Sequence, residues 1–424
     1  MATIGSGGVR LRLFPQAPFH DGGVGLETVT LRLPAGMAGP GPSDPRMYVV
    51  APSVAAPPYG RRRPGDPLLL PPWTGPQTPP ALPDGRGCFD GMSARDPAFP
   101  RVHLWGCARF ALDVWEGYLG RPIPWHFAPR FARLELGLLR GWSNAQMGYG
   151  WLQTGERRLE DGRLAALAYD FDIVGHEIGH ALLLSLGASF SPENVRPDYE
   201  ALHEASADFA AMIAALHFDG VRAELLDTTA GDLDGFNRLS RFAEFSHTRQ
   251  IRLASNRRTM RDFAAGWRSE HELSQPVMGA LFDAFIDVYH EALVAEGVIP
   301  RALEALADKA ERDPGLKPAL RDGFRRAYDR DPDGFHAALA EARDLLARLI
   351  LAAWDAVEPE RFDFAALPPL LRAADREATG GRLWPSVSDN LARRLIGRVP
   401  PGPRRGGGEA SHLRSSRTAI PENG

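Results

Sequence analysis

Two short stretches of the chain carry residue types at spacings that could do chemistry. They are His176-Glu177-Ile178-Gly179-His180 and, beginning 24 positions after the second histidine, Glu204-Ala205-Ser206-Ala207-Asp208. On a helix, the H-E-x-x-H spacing puts two imidazoles on one face with a carboxylate beside them. Two neutral imidazoles and one carboxylate are the protein ligands of a hydrolytic zinc ion that keeps a position open for water. With histidine at 12 of 424 positions, the first pattern arises by chance on the order of a few times per hundred chains, so the second stretch adds the weight. Glu204 can serve as third ligand, and Asp208 can accept the other ring N–H of a metal-bound histidine and fix its tautomer. Glu177, kept off the metal, is the expected general base. If Glu204 is not the ligand, His203 is the nearest substitute; otherwise His203 reads as an adjacent group supporting a ligand or as a surface group.

The elements that must position these groups are legible. Asp172 supplies a first-turn acid, Ile173, Val174, Ile178, Ala181, Leu182, Leu183 and Leu186 spread apolar surface round most of a helix, and Gly187 stops it. A helix apolar on all sides is a buried one. Burying His176, Glu177 and His180 without partners costs several kcal/mol, which a bound metal offsets. Residues 200–218 form a second helix, started by Pro197-Asp198 and ending near Gly220, with Glu204 and Asp208 on one face.

At these residues the chain resembles the thermolysin-like zinc peptidases, the gluzincin group whose third ligand is a glutamate from a separate downstream helix. The matching stretches are residues 172–181 and 203–208. A metzincin is excluded because its extended motif needs Gly at 183 and His at 186, where this chain has leucine twice. The resemblance spans about residues 100–290. It implies a two-lobe α+β peptidase, with a strand-bearing N-terminal lobe, a central zinc helix, a mainly helical C-terminal lobe and one zinc ion held by His176, His180 and Glu204. It further implies that Asn144-Ala145, in a segment similar to the family's edge strand, binds the backbone of a peptide or protein substrate cut before hydrophobic residues. His271 corresponds to the family's transition-state histidine, although a gapless alignment puts Gln275 there. Arg258 corresponds to its substrate-binding arginine, with Arg252, Arg257 and Arg261 as neighbouring alternatives, and Tyr199 is a candidate for its oxyanion tyrosine. Asp172 aligns with a calcium ligand, whereas the position that would supply a second carboxylate is Ala215, leaving the family's double-calcium site incomplete.

Composition fits an ordinary folded enzyme, with a formal charge of -4, 44% hydrophobic and 24% charged residues. No nucleic-acid partner is indicated: the basic residues are nearly all arginine, and Arg61-Arg62-Arg63 sits in a proline-rich stretch that reads as a solvated loop. Cys88 and Cys107 are the two cysteines, and spacing leaves their pairing open. The first ten residues lack a signal peptide's basic start and apolar core, and no run of about eighteen apolar residues is present. The expectation is a cytoplasmic or unconventionally exported protein with no membrane partner. The expected divisions are 1–95 (strands at Arg10 to Phe14 and Thr28 to Leu33, then a Pro/Gly-rich loop), 96–188, 189–398 and a disordered tail, 399–424. Further expectations are a helix at 101–119, strands at 134–138 and 144–152, and helices at 277–294, 300–312, 318–329 and 333–357. Two other functions remain compatible: a zinc hydrolase acting on another amide or ester, and a binding protein with an inert zinc site, which would have no need of Glu177.

Overall fold

A computed structural model of the chain describes residues 7–19, 25–60, 69–159, 161–191, 194–234, 241–242, 252–310 and 313–405. The fold is α+β. Strands β1 (Gly8–Leu13) and β2 (Glu27–Pro34) form an antiparallel ribbon. Alternation decides its faces: Val9, Leu11 and Leu13 turn inward onto helix α1 (Phe99–Leu119). They pack closely because α1 has glycine at 106, where a Cβ would lie 2.1 Å from Leu11 Cδ1.

A four-stranded sheet follows, from β3 (Met47–Val50), β4 (Leu134–Leu138), β5 (Ala145–Gly148) and β6 (Trp151–Thr154), in the order β3-β4-β6-β5. The first three in that order run parallel and β5 is an antiparallel edge. The single strand expected over 144–152 is therefore a hairpin. Gly150 takes φ +88°, and a Cβ on Gly148 would fall 2.0 Å from the Trp151 indole, so two glycines let the chain double back where apolar content alone reads as one run. In β4 the alternation of leucines suggests an exposed opposite face, yet Glu135 is fully buried. Its carboxylate accepts from Tyr48 Oη (2.7 Å), Tyr59 Oη (2.7 Å) and the Trp73 amide (2.8 Å), which fastens the Pro/Gly-rich stretch to the sheet.

The hairpin of β7 (Glu156–Arg158) and β8 (Leu164–Ala166) delivers the chain to helices α2 (Phe171–Leu186), α3 (Pro197–Ala215) and α4 (Asp219–Thr229). The remainder is helical: α5 (Glu270–Ala295), α6 (Arg301–Ala310), α7 (Lys317–Arg330), α8 (Pro332–Ala356), α9 (Leu367–Thr379) and α10 (Trp384–Arg393). Helices α4, α9 and α10 are additional to those indicated by the sequence pattern. In α9 and α10 prolines that read as breakers sit in the first turn, where their missing N–H is no loss. One contiguous apolar core reaches from Val9 in β1 to Ile396 beyond α10. Residues 399–405, expected to begin a disordered tail, pack along residues 263–267, while 406–424 and Arg61-Arg62-Arg63 lie outside the described residues. Cys88 and Cys107 are both free and buried. Among the described residues no helix is long and apolar enough to cross a membrane.

Candidate metal centre

Helix α2 starts at Asp170, whose Oδ1 accepts from the amides of Asp172 (3.1 Å) and Ile173 (3.4 Å). Asp172, expected to be the leading acid, lies in the first turn, where burial, then Asp170 and Asp208, push its carboxyl well above the usual range. Two glycines bring α2 against α3. A Cβ on Gly179 would come within 2.8 Å of Ala207 Cα and 2.9 Å of Ala207 O, and one on Gly175 within 3.3 Å of Ala211 Cα. Glycine on one helix facing alanine on the other closes the interaxial distance, so short side chains on both can reach a common point.

That point is occupied by Glu204. Its Oε2 lies 3.5 Å from His176 Nε2 and 3.7 Å from His180 Nε2, and all three side chains are buried. The three ligand atoms of His176, His180 and Glu204 lie within 4.8 Å of one another and could hold a metal ion; among the described residues they are the group that does so. Burial alone would raise the Glu204 carboxyl, but His271 first, then His180 and His176, outweigh it and hold the group well below the ordinary carboxylate range. The donor set is thus anionic at one corner and imidazole at two.

The imidazoles are oriented from behind. His176 Nδ1 is 2.8 Å from Asp208 Oδ1. A carboxylate accepts, so an Nδ1–H turned toward Asp208 would leave the His176 Nε2 lone pair free for a metal ion. His180 Nδ1 is 2.7 Å from His203 Nδ1. Of the two expectations for His203, a group supporting a neighbouring ligand or a surface group, the structure has the first arrangement: the ring is buried against His180. The available signal was its place beside Glu204 on an almost wholly apolar helix, where a buried imidazole must find a partner. Tyr199 is fully buried and packs edge-on to His203 at 5.8 Å, between Phe190 and Phe362, so it supports the His203 ring.

The other sequence candidates are distributed unequally. His271, in the first turn of α5, reaches the cluster, with Nδ1 2.9 Å from Glu204 Oε2. Glu177 is buried in α2 between the two histidines. Ala145 opens the edge strand β5 and packs with Leu167 and Ile173 of the α2 entry; Asn144 precedes it, its carbonyl accepting from Gly155 at 2.9 Å. Arg258 is exposed, its amide donating to Asn256 Oδ1 and its carbonyl accepting from Arg394. The buried Arg394 guanidinium ties this segment to Asp283 of α5 at 2.5 Å and occupies the space left by Gly279. Ala215 ends α3 with no carboxylate to offer.

No family model matches the chain, and no curated protein matches it significantly. The chemistry and geometry around Glu204 therefore carry the functional reading.

Proposed function

We propose that the protein is a zinc-dependent endopeptidase with a thermolysin-like, two-lobe arrangement. The observation that supports this most directly is the convergence of Glu204 from α3 on the two Nε2 atoms of α2, at 3.5 and 3.7 Å. Two ligands about 2.1 Å from a tetrahedral zinc ion are separated by about 3.4 Å, so the separations suit that ion with little movement. His176, His180 and Glu204 would hold it, and Asp208 and His203 would keep the two rings turned inward. Bound there, zinc supplies a Lewis acid for the scissile carbonyl and lowers the pKa of water toward neutrality.

The chain's own residues do the rest. Glu177, buried on the same face, takes a proton from the attacking water and gives it to the leaving amine. His271 holds the third ligand carboxylate in the anionic form. The unpaired side of the edge strand β5, which begins at Ala145, takes the extended backbone of a peptide by strand addition.

The test is elemental analysis of the purified protein together with digestion of a denatured protein before and after chelation. About one zinc per chain, with cleavage lost on chelation and restored by zinc, is the expected outcome. Stoichiometric zinc with no peptide cut would move the assignment to another amide or ester, and absence of bound zinc would overturn it.

A further inference from the structure

Beyond α10 the chain returns to the metal centre. Residues 401–405 run beside residues 263–267 in strand-like pairing: the Gly402 amide donates to Phe263 O (2.9 Å), Trp267 N to Pro403 O (3.3 Å) and Arg405 N to Trp267 O (2.6 Å). Trp267 Nε1 adds a bond to Gly402 O at 2.9 Å. The fit is close, since a Cβ on Gly402 would lie 2.4 Å from Ala264 O. This pairing sets the Arg404 guanidinium 3.0 Å from Glu270 Oε1 and 5.4 Å from the centroid of the Trp267 ring.

Beside Arg404 opens a cavity of 290 Å³, lined among others by Asp198, Glu200 and Trp267. Glu200 is buried one helical turn before Glu204 on α3, ~6 Å along the axis. Glu270 is buried next to His271, which touches Glu204. Burial holds the Glu270 carboxyl above its ordinary range, its own backbone amide and Arg404 opposing the shift and Glu200 and Glu204 adding to it. The Arg404 guanidinium thus sits between the Glu270 carboxylate and the Trp267 ring, and Asp198 and Glu200 add acidic side chains to the wall of the adjoining cavity. That is recognition chemistry for a guanidinium or ammonium group.

Building on the peptidase reading, we propose that this cavity is the subsite for a basic side chain of the peptide substrate, and that Arg404 is seated there as an internal stand-in. A substrate cation must displace the Arg404 side chain before it can bind.

The experiment uses the full chain as zinc-loaded protein: wild type, Arg404→Gln, and Arg404→Gln combined with Glu270→Gln. Agmatine, a guanidinium without a carboxylate, is titrated calorimetrically. Arg404→Gln is expected to bind it at least about tenfold more tightly than wild type, and Glu270→Gln to remove that gain. In a peptide library, Arg404→Gln should raise kcat/KM for peptides carrying Arg or Lys relative to those carrying Leu. Equal agmatine affinity in wild type and a folded Arg404→Gln protein, or a gain that survives Glu270→Gln, overturns the proposal. Arg404→Met is the second variant should Arg404→Gln fail to fold. Agmatine discrimination without cleavage of any peptide would retain the cation subsite and remove the peptidase reading from which its substrate class follows.

Discussion

The Nδ1 atoms of His180 and His203 face each other at 2.7 Å in a buried pair, so at that contact one ring donates and the other accepts. For His180 to offer an Nε2 lone pair to a metal ion, its own proton must be on Nδ1 and His203 must accept it. His203 is then an Nε2–H tautomer, the opposite of its partner. On the other ligand, Asp208 performs the same service for His176 with a carboxylate.

These two supports predict different sensitivities to replacement. His203→Asn retains an acceptor and should bind zinc nearly as well as the parent, whereas His203→Phe should weaken affinity about 10- to 100-fold, as should Asp208→Ala. Chelator competition measures this directly. An unchanged affinity in His203→Phe would mean that the ring only fills space.

Replacement of the base should separate binding from turnover. Glu177→Gln keeps the side-chain shape and all three ligands, so zinc content should match wild type while turnover falls at least about a hundredfold. Normal turnover in this variant would remove Glu177 from the mechanism.

The helix contact makes a further prediction through Gly179. An added Cβ meets Ala207 backbone, which cannot swing aside, so Gly179→Ala should cost about 1–3 kcal/mol of stability and weaken zinc binding as the helices separate. At Gly175 the nearest atom is 3.3 Å away, and Gly175→Ala should be milder on both counts. Denaturant unfolding with parallel zinc titration distinguishes the two; equal effects would mean that the close approach at Gly179 does not set the site.

Acid sensitivity should follow His103. This buried ring receives the Phe14 amide on Nε2 at 2.8 Å and lies 2.7 Å from Ala168 O through Nδ1, and burial drives its pKa down to about 4. Below pH ~6.5 the unfolded chain takes up a proton that the folded chain refuses, so His103 contributes stability that is full above that pH and declines toward pH 4, by roughly 3 kcal/mol in all. Asp287, raised by burial to about 7, acts in the opposite direction over the same window, losing stability as pH rises. The diagnostic quantity is therefore the difference between His103→Gln and parent in unfolding free energy from pH 4.5 to 7.5. A difference that does not vary with pH would refute the assignment.

The group that could hold a metal ion was legible in the sequence because its parts are local: His176 and His180 share one helix face, as do Glu204 and Asp208, and a buried helix must give each pair a partner. What joins the pairs was not, since Gly175 and Gly179 read as weak helix formers until α3 is seen lying on them. For His203 the sequence leaves open whether it supports a neighbouring ligand or faces solvent, because its partner is on another helix. Arg258 is one of several arginines, and nothing local in the chain announces that Arg394 holds its carbonyl. The hairpin at 145–154 was merged into one strand because hydrophobic pattern does not register a glycine's positive φ.

Glu135 has a consequence for how the molecule breathes. One carboxylate in the middle of the sheet receives Tyr48 from its neighbouring strand together with the Tyr59 hydroxyl and the Trp73 amide. Lifting either Tyr59 or Trp73 leaves this buried carboxylate with a lost donor, so neither gains by opening alone. Tyr59 and Trp73 are thus latched to the same side chain. The amides of those two residues should exchange with solvent as a single cooperative unit, and Glu135→Gln should uncouple them.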